Sequence, residues 1–365
     1  MPRPNLGIMT LYLNDRKQIE ERSLFQKMTL VGRALGLEVT VFTPEDVNFA
    51  TNSIQAQIYD VRAKSWKRKR VGFPDAILDR CRYQPTNRFR QLKAFRQRYP
   101  NLLYLNRPLA NKWNIYLDFV NSKRLAKYQP DTVKVTAGSE VLALLKKYPT
   151  VYLKPINGTG GRGIMRIHRL GPSSFQLAGR GMDRRILRRV QLGRSGLLAK
   201  LSRLAKTGQY LAQQGIDCTL PDGRVFDFRI LIQKNARGDW EWTGGAGRIG
   251  RQGSVTSNLH GGGTAAGLDR LLRKCYRQTS KEQRVKQEMA ALSFETAAYL
   301  EKRYGQLCEL ALDIAADRNG RIWLLEVNPK PAREVFRKIG EHHTYQTAVK
   351  RPLEYALYQI NRKKG

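Results

Sequence analysis

Apolar and polar positions alternate in short runs through the first third of the chain. LGIMTLYL, EVTVFTPEDV, AQIYDV, AILDRCRY and NLLYLNRP read as strands, while residues 20–35 and FRQLKAFRQRYP carry the wider spacing of helices. Strand and helix signals that take turns in this way predict a small α/β domain over residues 1–108. From Leu109 the rhythm changes. A helix is expected over about 111–127, then an extended PDTVKVT, a helix over 139–147, a glycine-rich hairpin and basic helices, making a lobe over 109–212. A second lobe, 213–345, holds the strand runs GRVFDFRILIQK and WEWTGGAGRI, the glycine loop SNLHGGGTA, a helix over about 281–304 and a final hairpin. Residues 346–365 close the chain as a basic helix or tail. No repeat or low-complexity segment interrupts the order.

Composition narrows the class. Of 365 residues, 41% are hydrophobic, enough for two or three packed domains and too many for a disordered chain. The stretch MPRPNLGIMTLYLND lacks the features of a secretory leader, and no run of about 18 apolar residues occurs, so a soluble, cytoplasmic protein without a membrane span is expected. Cys81, Cys218, Cys275 and Cys308 have no C-x-x-C spacing and the four histidines form no ligand pattern, which argues against disulfides and zinc. The charge balance stands out more. Against 30 Asp and Glu the chain carries 66 Lys and Arg, a net +36 that draws polyanions. The excess gathers in residues 62–70, in 180–206 and in the terminal NRKKG. Leu197, Leu198, Leu201 and Leu204 opposite Lys200, Arg203 and Lys206 describe an ordinary surface helix. No helix-turn-helix, RNP or zinc-finger pattern accompanies the charge, and Trp66 is the only aromatic within the basic runs. Nucleic acid is therefore a less favoured partner than some other acidic molecule.

Residues 152–167 read YLKPINGTGGRGIMRI, in which Gly158, Gly160 and Gly163 satisfy G-x-G-x-x-G and Gly161 adds a fourth glycine. A dinucleotide fingerprint would continue into a helix. Here Ile164 to His168 continue as a strand that matches 151–154 before the loop, and no Walker G-x-x-x-x-G-K-[ST] is present. The unit is strand, glycine loop, strand. Backbone N–H groups on such a hairpin can cover phosphates where a Cβ would block the approach. An ordinary flexible hairpin remains the alternative; Lys154, placed to reach phosphates under the loop, favours the nucleotide reading.

A second constellation follows from register. LALDIAADRNGRIWLLEVNPKP carries two strand runs around Asn319-Gly320, a strong hairpin signal. With those two residues as the turn, Arg318 faces Arg321, Asp317 faces Ile322, Ala315 faces Leu324 and Asp313 faces Glu326. Asn328 shares the face of Glu326. Opposed carboxylates are unfavourable unless a cation bridges them, and hard oxygen donors suit Mg²⁺ whose shell is completed by nucleotide phosphates. The other reading is a wet hairpin end with both carboxylates in water.

Lysine, glycine hairpin, Asp and then Glu-x-Asn late in the chain resemble the ATP-grasp superfamily. NKWNIYLDF, YLKPINGTGGRGI, FDFRILIQK, SNLHGGGTA and LDIAADRNGRIWLLEVNPKP resemble more closely its YheC/YheD family of endospore coat-associated proteins, over most of residues 109–345. The resemblance implies an α/β (α+β) ATP-grasp fold behind a small N-terminal pre-ATP-grasp domain. It implies ATP as cofactor, contacted by Lys112 and Lys154 at its phosphates and by Gln213, Gln214 and Ile216 of AQQGI at its base, although many relatives carry Glu at position 214. Asp313, Glu326 and Asn328 would be the Mg²⁺ ligands, and Arg229, Arg248 and Asn258 would lie near the transferred phosphate. The activity implied joins an unknown carboxylic acid to an unknown amine through an acyl phosphate, in sporulation and in association with the spore coat, with an acidic peptide or cell-envelope polymer as one partner. A structural spore-coat protein without catalysis, or a basic nucleic-acid-binding protein, are the competing expectations.

Overall fold

The computed structural model describes residues 3–83, 86–158, 160–276 and 278–364. Met1, Pro2, Gln84, Pro85, Thr159, Arg277 and Gly365, which fall within the stretches assigned above, lie outside the described residues.

Three sheets order the chain. In the N-terminal sheet Asn5–Met9 is an interior strand, parallel to Glu38–Phe42 on one side and to Ala76–Asp79 on the other. A parallel centre needs both faces covered, which is why LGIM is apolar without alternation. Leu6 and Ile8 pack towards Phe25 and Met28 of the helix Arg22–Ala34, while Met9 and Ile77 pack with Leu92 and Phe95 of Asn87–Arg98. The basic run at 62–70 supplies the exposed strand Ser65–Val71, which joins this sheet only through Ser53–Asp60.

The second sheet is antiparallel and runs Ile186–Gly193, Ser174–Arg180, Met165–Arg169, Thr150–Pro155, Tyr210–Gln214, Thr132–Lys134. Helices Gly138–Lys147 and Arg194–Thr207 bury Val141, Leu144, Leu197 and Leu201 against it. Tyr210–Gln214 runs across the expected lobe boundary at 212–213. The expectation of basic helices after the glycine hairpin is corrected in part: Arg194–Thr207 is helical, but Ile186–Gly193 is an edge strand. Its Val190 and Leu192 stand opposite Leu177 and Phe175, so a period of two is selected by a partner strand that local spacing does not reveal. The helix expected over 111–127 is shorter, Lys112–Val120, followed by a 3-10 turn Ala126–Tyr128. Asn111 caps it by accepting from the Asn114 amide at 3.0 Å.

The third sheet, also antiparallel, is ordered Thr264–Gly267, Trp240–Ile249, Phe226–Lys234, Glu309–Ala316, Ile322–Asn328. Helices Leu268–Cys275 and Thr279–Tyr304 cover its back. The chain ends in the helix His342–Lys364, whose Ala348, Val349, Leu353 and Ala356 share a core with Phe25 and Met28 of the N-terminal domain. Among them runs a buried charge network: Glu309 accepts from Arg80 at 2.6 Å and pairs with Arg333, and Arg80 also reaches Glu21 at 2.9 Å. N-terminal domain and third sheet are thus locked together by apolar and ionic contacts. No helix among the described residues is long and apolar enough to cross a membrane.

The last hairpin corrects the register derivation. Its turn is one residue longer than expected. Arg318, Asn319 and Gly320 form it, with the Asp317 amide donating to the Arg321 carbonyl at 3.0 Å and Gly320 at φ +79°. The Asp317 carboxylate stabilises this turn by accepting from the Asn319 and Arg321 amides. Ala315 consequently faces Trp323, not Leu324, and Asp317 faces Arg321, not Ile322. A bulge then intervenes: Ile314 pairs with Leu324 and Asp313 with Glu326, leaving Leu325 between them unpaired. The longer turn and the bulge cancel, and the carboxylates still face each other.

Candidate functional site

Between the second and third sheets lies a cleft open to solvent. The glycine hairpin forms its roof. Strands Thr150–Pro155 and Met165–Arg169 pair as expected, with Leu153 opposite Met165, and the loop turns through Gly160, Gly161 and Gly163 at φ +67°, +76° and +68°. These are left-handed conformations that favour glycine. Gly161 is also needed for space, because a Cβ there would come within 2.5 Å of Asn258 Oδ1 on the facing loop. Gly158, Gly160, Gly161 and Arg162 line the cleft; Gly163 shapes the loop without lining it.

Lys154, next to last in the roof strand, projects into the cleft, where its ammonium donates to Gln213 Oε1. Gln213 is itself oriented by donating to Thr132 Oγ1 at 3.0 Å. Burial pushes the Lys154 pKa down to about 8, with nearby Lys112 adding to the effect and Glu326, Asp227 and Asp313 opposing it. A positive charge thus sits in a place that strains to keep it, which an incoming polyanion would relieve. Lys112, on the first turn of its helix, donates to the Gly158 carbonyl at 2.7 Å and lies 3.6 Å from Glu326, tying the roof to the floor. Gln213, Gln214 and Ile216 form one wall, as expected of the AQQGI segment. Gln214 turns its Oε1 to the Asp131 amide at 3.2 Å.

The floor is a row of charges across four strands. Asp227 pairs in register with Arg248, Arg229 with Asp313, and Asp313 with Glu326. Arg248 donates to Asp227 at 2.7 Å and reaches diagonally to Asp313 at 2.9 Å. Arg229 grips Asp313 with two parallel bonds of 2.8 and 2.9 Å. Burial acts to raise the Asp313 pKa, but the two guanidinium groups outweigh it and hold the pKa below the usual carboxylate range. Arg248 is likewise opposed by burial and held more firmly cationic by Asp227 and Asp313. The derivation from opposed carboxylates is therefore corrected in its premise. The chain itself supplies cations to Asp313 and Glu326, so their proximity does not by itself demand a metal.

The donor set still fits Mg²⁺. Asp313 and Glu326 present carboxylate oxygens to one cleft. Asn328 lines an adjoining cleft beside Glu326, and its buried Nδ2 has no hydrogen-bond partner among the described residues; turned about, the amide offers an oxygen there. Among the described residues there is no group of three His, Cys, Asp or Glu, so an ion here would take the rest of its shell from phosphates or water.

Of the residues named from the sequence, Lys112, Lys154, Gly158, Gly160, Gly161, Gln213, Gln214, Ile216, Arg248, Asn258, Asp313 and Glu326 line this one cleft. Arg229 stands behind it, holding Asp313. Sequence reasoning missed Asp227, which orients Arg248. Its signal was available: Asp227 and Arg229, two residues apart in the otherwise apolar strand FDFRIL, must share a face. Tyr152, Phe226 and Cys218, apolar wall residues, gave no such signal.

The model of the YheC/D-like ATP-grasp family matches residues 101–358. Endospore coat-associated protein YheC of Bacillus subtilis (strain 168) is 27% identical over 317 residues, covering 85% of each chain. Among solved structures, D-cycloserine synthetase DcsG superposes with a TM-score of 0.54 at 12% identity, covering 98% of this chain and 99% of that one. The macrocyclase MdnC from Microcystis aeruginosa MRC, bound with precursor peptide MdnA, gives 0.53 at 14%, covering 95% and 98%. The fold is that of the ATP-grasp superfamily with its small preceding α/β domain, and the chain belongs to the YheC/D-like ATP-grasp family.

Proposed function

We propose that this protein is an ATP- and Mg²⁺-dependent ligase that joins a carboxylic acid to an amine. One observation carries the reading: Lys112 and Lys154, a glycine loop open to phosphate, and Asp313 with Glu326 all converge on a single cleft. In the reaction the γ-phosphoryl group passes to the acid's carboxylate, the amine attacks the acyl carbon, and phosphate leaves as the amide forms. Such chemistry asks for positioning and charge neutralisation more than for a protein nucleophile. The lysines hold phosphate oxygens. Arg248, fixed by Asp227, presents a charge that needs no reorganisation, and Asn258 adds a polar group to the same cleft beside Gly161. The glycine loop keeps water from an activated acid that water would destroy. Mg²⁺, held by Asp313, Glu326 and Asn328, would neutralise charge on the phosphates. The wall of Gln213, Gln214 and Ile216 would take the base.

Similarity to YheC, an endospore coat-associated protein, supports a role in association with the spore coat. The net charge of +36 supports an acidic peptide or polymer as the acid. ADP release, measured with Mg²⁺ over a panel of acid and amine pairs, tests the reading. Expected is turnover that requires both an acid and an amine; folded protein that binds no MgATP at several millimolar would overturn it.

A further inference from the structure

Arg180 ends its strand with only 3% of its surface exposed. One guanidinium nitrogen donates to the Gly261 carbonyl, while Nε and Nη1 have no partner among the described residues. Arg184, in the turn that follows, has a buried Nε in the same condition and a backbone φ of +70°, left-handed for a residue with a side chain. Their neighbours are mostly cations. Burial first, and then Arg184 and Arg251, push Arg180 below the ordinary arginine range; burial and Arg162 do the same to Arg184, against Glu20 of the N-terminal domain. Buried guanidinium nitrogens without an acceptor are costly, and a strained backbone that holds them in place is a mark of use.

The surroundings make room for the pair. Arg180 occupies the space where a Cβ of Gly261 would stand, and a Cβ on Gly160 would lie 3.0 Å from Arg184 Nη2. Gly160 also lines the nucleotide cleft, whereas neither arginine does. The Arg184 guanidinium therefore adjoins the cleft at the hairpin tip, on the side where Glu20 acts on it, and Arg180 lies next to Arg184. The cleft already has Lys112 and Lys154 for the phosphates of a nucleotide. Three orphaned donors beyond them are suited to a further oxyanion, which could be a substrate carboxylate or the γ-phosphoryl group.

Building on the ligase reading, we propose that Arg180 and Arg184 form an oxyanion subsite beside the nucleotide cleft that holds a carboxylate of an acidic substrate. The placement gives the strongly basic chain a specific point of grip for a polyacidic molecule, next to where its carboxylate would be activated.

The test uses the full chain and its Arg180→Gln and Arg184→Gln variants at fixed ionic strength. Calorimetry measures Kd for MgATP, for MgADP, and for a hexaglutamate peptide added to protein saturated with Mg²⁺ and a non-hydrolysable ATP analogue. Expected is hexaglutamate binding weakened about tenfold or more in each variant, as for loss of charge-assisted hydrogen bonds, with both nucleotide affinities unchanged. If Arg180→Gln does not fold, Arg184→Gln, less buried, decides alone. A selective loss of ATP over ADP affinity would assign the arginines to the γ-phosphoryl group and overturn the proposal. So would hexaglutamate binding that is absent from wild type or indifferent to the substitutions. Failure of wild type to bind MgATP would instead strike the ligase reading itself.

Discussion

Asp313 and Glu326 face each other, yet they are held so differently that their amide variants should separate structure from function. The Asp313 side chain is 7% exposed and is gripped by Arg229 and by Arg248, the latter 4% exposed. Asp313→Asn keeps the shape, removes the charge and turns an amide donor towards guanidinium donors. Breaking a buried pair of this kind costs about 3–5 kcal/mol. Glu326 is 29% exposed, and the nearest cation, Lys112, is 27% exposed at 3.6 Å. Such a pair contributes about 0–1 kcal/mol, so Glu326→Gln should hardly change the stability of the metal-free protein. In a chain this long about 2 °C of Tm accompanies each kcal/mol, giving a fall of roughly 6–10 °C for Asp313→Asn and at most about 2 °C for Glu326→Gln. ADP release should collapse in both, since each removes a carboxylate proposed for Mg²⁺. Melting of the metal-free variants beside ADP release measures both effects. A Glu326→Gln protein that melts as early as Asp313→Asn, or that keeps its turnover, would refute the division of roles.

The remaining predictions bear on the roof and on the domain junction. Lys154→Ala should weaken MgATP binding by about 1.5–3 kcal/mol in calorimetry, the loss of a charge-assisted contact. Because the Lys154 pKa lies at about 8 and phosphate beside it would raise it again, MgATP binding near pH 9 should take up close to ~1 proton, read from calorimetry in buffers of different ionisation heat; no uptake would remove Lys154 from the phosphates. The same depressed pKa means that between about 8 and the ordinary lysine value of 10.5 the unfolded chain binds more protons at this site, so its contribution makes metal-free stability rise with pH across that window. Gly161→Ala forces a left-handed alanine against Asn258, costing about 1–2 kcal/mol of loop strain, and should lower turnover with a fall in Tm of only about 2–4 °C. Glu309→Gln leaves Arg80 and Arg333 without their shared carboxylate and should destabilise the chain by about 3–5 kcal/mol in chemical denaturation, while MgATP affinity in the folded protein stays the same.

What could be read from the sequence was whatever its neighbours along the chain determine. The glycine hairpin was legible because its lysine, its glycines and both strands fall within about 20 consecutive residues and pair with each other. The opposed carboxylates were legible for a weaker reason. Counting outward from Asn319-Gly320 gave the right partners through two errors of one residue, a longer turn set by the Asp317 carboxylate and a bulge at Leu325, which compensate. Nothing in LLEV marks Leu325 for the bulge, since it differs from Leu324 only by its place against the Glu309–Ala316 strand.

Pairings between distant strands were the part that local reasoning could not reach, and the site depends on them most. The register that sets Asp227 beside Arg248 and Arg229 beside Asp313 joins three strands separated by loops and two helices. Without it Asp313 looks like an unbalanced charge; with it, Asp313 is the best-compensated carboxylate on the floor. The same holds for Arg180 and Arg184. Among 66 basic residues, no composition or spacing distinguishes the two whose guanidinium nitrogens are buried without partners among the described residues, because the placing of Arg180 depends on a gap left by Gly261, some 80 residues further along. A basic chain scatters much of its charge on exposed edges such as Ile186–Gly193, where water meets the charged groups and the charge acts mainly at long range. Donors that the fold withholds from water and leaves unpaired are a different matter, since they keep their full cost until an anion arrives. It is these two arginines, more than the net charge, that give the acidic-substrate reading a place in the molecule.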